Sequence, residues 1–255
     1  MKTEIFSFKR FALLLNRQKV LMAKTWLIAM ISVISFVFLV ALLQLIFTQG
    51  YNWYNTLFSY GFFSFFVMGC VFASMAFSEM GTYAKSFQYI CLPASPLEKF
   101  LSAWFISFVV FIIAAILLLT VASLILALIS VMLFSQEFVF FNLLAQNYSA
   151  NLLLLFFGYH SIYFLGAVWF KKAAFFKTLL TSIVWGFIII ISFVFLFIII
   201  VKPFSLLADP NVHVSDSLFA NIGEDMRFFN SSIPLIMQSV FLLFIAWIRF
   251  NEREA

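Results

Sequence analysis

Charge is what this chain has least of. Only 10% of its 255 residues are Asp, Glu, Lys or Arg, while 65% are hydrophobic and the mean hydropathy is +1.12. A soluble domain carries about 25% charged residues, so the composition excludes an ordinary water-soluble fold. Cysteine is almost missing as well. Cys70 and Cys91 are the two present, too few for a disulfide framework or a cysteine metal site. The five prolines, Pro93, Pro96, Pro203, Pro210 and Pro234, all fall between apolar runs or at their ends. No run is therefore interrupted at its middle. There is no Gly-x-x-x-x-Gly-Lys loop, so the chain does not hydrolyse ATP by that route. His-Glu-x-x-His and Gly-x-Ser-x-Gly are also missing. The net charge of +5 is spread over short connections rather than gathered in one patch, which argues against nucleic acid as a partner.

What remains is long and apolar. Uncharged runs cover residues 25–78, 100–136, 138–170, 178–201 and 228–248. Crossing roughly 30 Å of hydrocarbon takes about 20 residues of helix, and the loop 48–56 splits the first run into two crossings. The expected fold is an all-α polytopic membrane protein, a single domain over 1–255. It has six spans near 26–47, 57–78, 100–122, 152–170, 179–201 and 233–249. Phe, at 39 residues, supplies much of their bulk. The predicted hydrocarbon core of these spans holds no Asp, Glu, Lys or Arg. Proton- or sodium-coupled transporters usually keep carboxylates there or break helices at the midplane, so a self-sufficient coupled transporter is disfavoured.

The charges that exist mark the sides. Thirteen Lys and Arg lie before span one, between spans two and three, between spans four and five, and after span six; only Lys202 and Arg227 lie on the other side. The positive-inside rule then predicts a multi-pass protein with both termini in the cytoplasm. The basic N-terminus has no early apolar core and small-residue cleavage site, and is not expected to be a signal peptide.

Between spans two and three lies a polar island, Glu79 to Lys99. A short helix over roughly 82–91 is predicted to stop at Leu92, because the residue before Pro93 is pushed out of the α region. The next helix starts with matched chemistry: Ser95 as N-cap, Pro96 in the first turn, and Glu98 three residues past the cap. Residues 5–22 are predicted to form an interfacial helix, with Phe8, Phe11, Leu15 and Met22 toward lipid. Lys9, Arg10, Asn16 and Arg17 would face the lipid phosphates.

The spans hold few polar groups. Span one has Gln44, and span two has Gly61 and Gly69, which favour close helix packing. The apolar stretch of span three is too long for one upright crossing, so it tilts, protrudes or breaks near Ser123–Ser130. Residues 136–150 read as an outer interfacial segment, and 202–230 as an outer loop. Span four has Tyr159, His160 and Tyr163. A membrane histidine is a functional candidate, although a packing or hydrogen-bonding role suits one without an acidic partner. Gln44, Tyr159, His160 and Tyr163 are the candidate residues of a substrate path.

The order Glu79-Met80-Gly81-Thr82, a short helix, then Leu92-Pro93-Ala94-Ser95, within six spans, resembles the ABC-2 type permease, the membrane subunit of ATP-driven exporters. The resemblance implies that the segment from Thr82 to Leu92 is a coupling helix. It would dock Phe87, Tyr89, Ile90 and Leu92 into a separate nucleotide-binding ATPase subunit, with Glu79, Gly81, Pro93, Ser95 and Glu98 shaping the loop. It further implies that ATP and Mg belong to that partner, with no cofactor in this chain. It implies a second permease copy, identical or related, and a hydrophobic or amphipathic substrate. Two other readings stay open. One is a membrane scaffold or sensor-complex subunit without transport. The other is an intramembrane enzyme, for which His160 alone supplies no catalytic constellation.

Overall fold

A computed structural model describes residues 6–81, 83–139, 149–207 and 232–254. Six of its helices are long and apolar enough to cross a membrane, and the described residues include no strand. This is the architecture of a multi-pass membrane protein. With no water in the hydrocarbon to satisfy backbone N–H and C=O groups, a continuous helix is the economical way across.

Helix α1 runs unbroken from Phe8 to Phe47, 40 residues and about 60 Å if straight. No boundary separates a surface helix from the first span. The connection to α2 is shorter than expected. It closes with Gly50 at φ +93° and Asn52 at φ +62°, left-handed conformations that Gly and Asn tolerate best. Helix α2 covers Trp53–Ser74, ending four residues before the expected position. A turn and a 3₁₀ segment, Ser78–Gly81, lead to α3, Tyr83–Ile90.

Helix α4, Pro96–Phe105, passes through one π-helical stretch, Ile106–Val110, into α5, Phe111–Phe134. The irregularity is therefore not near Ser123–Ser130. Both serines are buried and the helix continues through them. The surplus length lies alongside α1: Ser7 meets Glu98 at 2.6 Å and Phe11 meets Phe105 at 6.4 Å. At the other end, a side chain on Gly50 would lie 2.9 Å from Phe134. Two rods of similar length thus run side by side in the same direction.

Helix α6, Ser149–Trp169, packs against α2, α7 and most extensively α8, Ser232–Glu254. Helix α7, Ala174–Leu207, continues through Pro203 rather than ending at 201. None of its most apolar stretch is buried within the chain. Of the expected outer segment 136–150, residues 140–148 lie outside the described residues, as do 208–230 of the expected outer loop 202–230, whose first residues belong to α7.

Three apolar clusters hold the bundle. Phe77, Phe100, Phe164 and Phe250 interlock at the island end, with ring centroids 4.9–6.3 Å apart. Trp26, Phe72, Phe111 and Phe156 form the middle. Val37, Leu45, Trp53, Leu57 and Leu126 close the far end. Without a hydrophobic effect between helices in lipid, such close packing is a main source of cohesion. Gly69 fits this account, because a side chain there would strike the Phe156 ring.

Candidate functional site: a clamped polar island

The island is organised by Glu98. Its local role is the one its spacing dictates. Ser95 Oγ accepts from the Glu98 N–H at 3.2 Å, and the Glu98 carboxylate accepts from the Ser95 N–H at 2.9 Å, completing the capping box. The same carboxylate also accepts from the Ser7 N–H at 2.6 Å and from the Arg10 guanidinium at 3.0–3.2 Å. Glu98 is fully buried. An ionised carboxylate is tolerable there because several donors replace its water.

A second pair repeats the device one island-length away. Arg17 Nη1 lies 2.9 Å from Glu79 Oε2. Arg10 and Arg17 are seven residues apart, two turns on one helix face, and both point at the island. Both arginines are thus paired with island carboxylates, and the first half of α1 is strapped across the island at both of its ends.

Lys99, also buried, faces the other way. Its Nζ donates to the Ile90 carbonyl at 3.1 Å, satisfying one of the terminal carbonyls of α3, and sits 5.6 Å from the Tyr89 ring centroid. Adjacent residues thus tie α4 to α1 and to α3. Gly81 adds a third anchor. A side chain there would come within 2.8 Å of the Lys171 carbonyl oxygen, so the island end rests against the α6–α7 turn.

Clamping sorts the side chains of α3. Phe87 is 72% exposed and Ile90 39%, with Lys85, Gln88 and Cys91 also outward. Tyr89 is 3% exposed and belongs to the Phe77–Phe100 cluster; Leu92 is half-buried against the same cluster. The expected docking anchors therefore divide. Phe87 and Ile90 are presented outward, whereas Tyr89 and Leu92 fasten α3 to its own bundle. Pro93 is exposed, and Ser95 is the N-cap. Thr82 lies outside the described residues.

The candidate path residues are not brought together. Gln44 sits beside Leu45 near the far end of α1, while Tyr159, His160 and Tyr163 share α6. Tyr159 is half-exposed and packs edge-on to Phe66 at 5.9 Å; Tyr163 stacks on Phe175 at 5.4 Å. His160 is fully buried among Phe108, Phe156 and Phe164. Its Nε2 lies 3.1 Å from the hydroxyl of Ser107, inside the π-helical stretch. Ser107 donates to the Trp104 carbonyl at 3.2 Å, which leaves its oxygen to accept from His160. The His160 Nδ1 has no hydrogen-bond partner among the described residues. Single π-helical turns inside α-helices are frequent at functional sites, and this one carries the Ser107 that meets His160.

Ser107, Arg10 and Arg17 were not visible as partners in the sequence. The seven-residue spacing of the two arginines was the available signal for the straps. Nothing in the sequence marked the π-helical stretch. Among the described residues no cluster of His, Cys, Asp and Glu could hold a metal ion. Comparison with known proteins finds no matching family, curated protein or solved structure.

Proposed function

We propose that this chain is the permease subunit of an ABC exporter, worked by a separate ATPase subunit that carries the ATP and Mg. The observation that supports it is the mounting of α3. A short helix projects Phe87 and Ile90 outward while Lys99–Ile90 ties its end to α4, and Arg10–Glu98 and Arg17–Glu79 tie the segments on either side of it to α1. A force-transmitting helix needs both properties. It must present an apolar anchor to a partner pocket, and it must move the bundle with it rather than flex. In this proposal the island end faces the cytoplasm of a bacterial cell, and two permease chains, identical or related, flank the path. The substrate is hydrophobic or amphipathic, in keeping with the long uncharged runs of the spans.

Affinity purification of the tagged chain from its native membrane tests the proposal. It expects an ATP-binding chain with a phosphate-binding loop in stoichiometric amount. It also expects ATP hydrolysis by the reconstituted complex to respond to substrate. Recovery of the chain in stable assemblies that never contain an ATPase would favour a scaffold or sensor-complex subunit instead.

A further inference from the structure

Between the island and the α6–α7 turn lies a cavity of about 740 Å³. Gly81 and Ser86 form part of one wall; Lys171, Lys172, Lys177 and Arg253 form much of the other, and no Asp or Glu lines it. Arg10, Arg17 and Arg249 each have a carboxylate within 3.0 Å. Lys171, Lys172 and Lys177 have none among the described residues. Several like charges around one hollow repel one another, and an anion seated among them relieves that repulsion.

The surroundings favour an anion further. Helix α7 begins at Ala174 with no acidic residue in its first turn, so the positive end of a 34-residue helix is uncompensated beside the lysines. Lys177 lies 5.8 Å from the Phe170 ring centroid, which restrains its stem. Arg253 donates to the Val168 carbonyl, and a guanidinium with five donors keeps others for a ligand.

The apolar neighbourhood indicates the source of that anion. Directly past the lysines, α7 exposes Phe176, Leu180, Ile183 and Phe187, and Trp169 at the end of α6 is 53% exposed. A soluble phosphate ester would fill only the hollow. An anionic phospholipid would set its phosphate in the hollow and its chains along α7. Basic pockets between helices at a membrane surface suit such headgroups. We propose that this cavity is a binding site for the phosphate headgroup of an anionic phospholipid, held by Lys171, Lys172, Lys177 and Arg253. The site bridges the island and the α6–α7 turn, and it does not depend on the exporter proposal.

Native mass spectrometry of the purified full-length protein tests the site, with dioleoylphosphatidylglycerol as probe and dioleoylphosphatidylcholine as comparison. The wild-type protein is expected to retain a phosphatidylglycerol that phosphatidylcholine does not replace. Combined Lys171→Gln, Lys172→Gln and Lys177→Gln should weaken that retention about tenfold or more. The matching Lys→Arg triple should keep it, as should Lys9→Gln, Lys19→Gln and Lys24→Gln together. Equal loss in both glutamine triples would reduce the effect to diffuse surface charge and overturn the site. Displacement by glycerol 3-phosphate at the same concentration would make the ligand a soluble phosphate ester and overturn the lipid assignment. If the pocket triple does not fold, Lys177→Gln alone decides, with a several-fold loss expected and no change overturning the site.

Discussion

Arg10 and Glu98, 88 residues apart in the chain, meet at 3.0 Å, and the Ser7 N–H joins the same carboxylate at 2.6 Å. One residue thereby starts α4 and pins the beginning of α1. Arg10→Ala would leave Glu98 with two backbone donors and a buried, unmatched charge. Arg10 is itself about a third exposed, so the expected loss is about 2 kcal/mol, below the range of a fully buried pair. Glu98→Gln keeps a capping side chain and should fall between wild type and Glu98→Ala. Thermal melting in one detergent ranks the three; equal stability of all four proteins would show that the strap contributes nothing.

Gly81 and Gly186 make an internal comparison. A methyl group at Gly81 would meet the Lys171 carbonyl oxygen at 2.8 Å, whereas one at Gly186 meets nothing within 4 Å. Gly81→Ala should destabilise by about 1–3 kcal/mol, since backbone has to shift. Gly186→Ala, in the interior of α7, should be neutral or gain about 0.5–1 kcal/mol through helix propensity. A Gly81→Ala protein that melts at or above the wild-type temperature would contradict the contact.

The divided face of α3 separates docking from folding. Phe87→Ser should leave melting unchanged while the co-purifying ATPase is lost or its hydrolysis is uncoupled from transport. Tyr89→Ser empties a position in the Phe77–Phe100 cluster and should destabilise by about 3 kcal/mol or more. A Phe87→Ser protein with intact ATPase association and intact export would remove α3 from its proposed role.

His160 and Ser107 form a buried polar pair, and they should behave as one unit. Ser107→Ala strands the imidazole and should cost about 1–2 kcal/mol. Adding His160→Leu to Ser107→Ala should cost less than the sum of the two single changes, with a coupling of about 0.5 kcal/mol or more. Strict additivity in that double-mutant cycle would show that the 3.1 Å contact carries no energy.

The crossings were legible from the uncharged runs because membrane insertion is a property of a stretch. It depends on about 20 consecutive residues and on no distant neighbour. Each of the six expected spans overlaps a helix of sufficient length and apolarity. The boundaries were less legible. Span two stops at Ser74 rather than 78, and α7 passes Pro203, because turns and packing set helix ends once both candidates are apolar. The capping box at Ser95 and Glu98 was also readable, since all of its groups lie within four residues.

Everything that involves separated segments needed the folded chain. The sequence shows that Arg10 and Arg17 share a helix face, but not that Glu98 and Glu79 wait opposite them. It shows Phe87 and Tyr89 two residues apart on a short helix, but the choice of inward residue follows from how Lys99 and the phenylalanine cluster hold α3. By itself the sequence determined that this is a bundle of six apolar helices with a polar, capped connection. Only the tertiary structure decided which charges meet, which face of α3 is left outward, and where unmatched lysines surround a hollow. Hydropathy and capping act within a few turns of one helix, whereas ion pairing and close packing depend on where the rest of the chain has been placed.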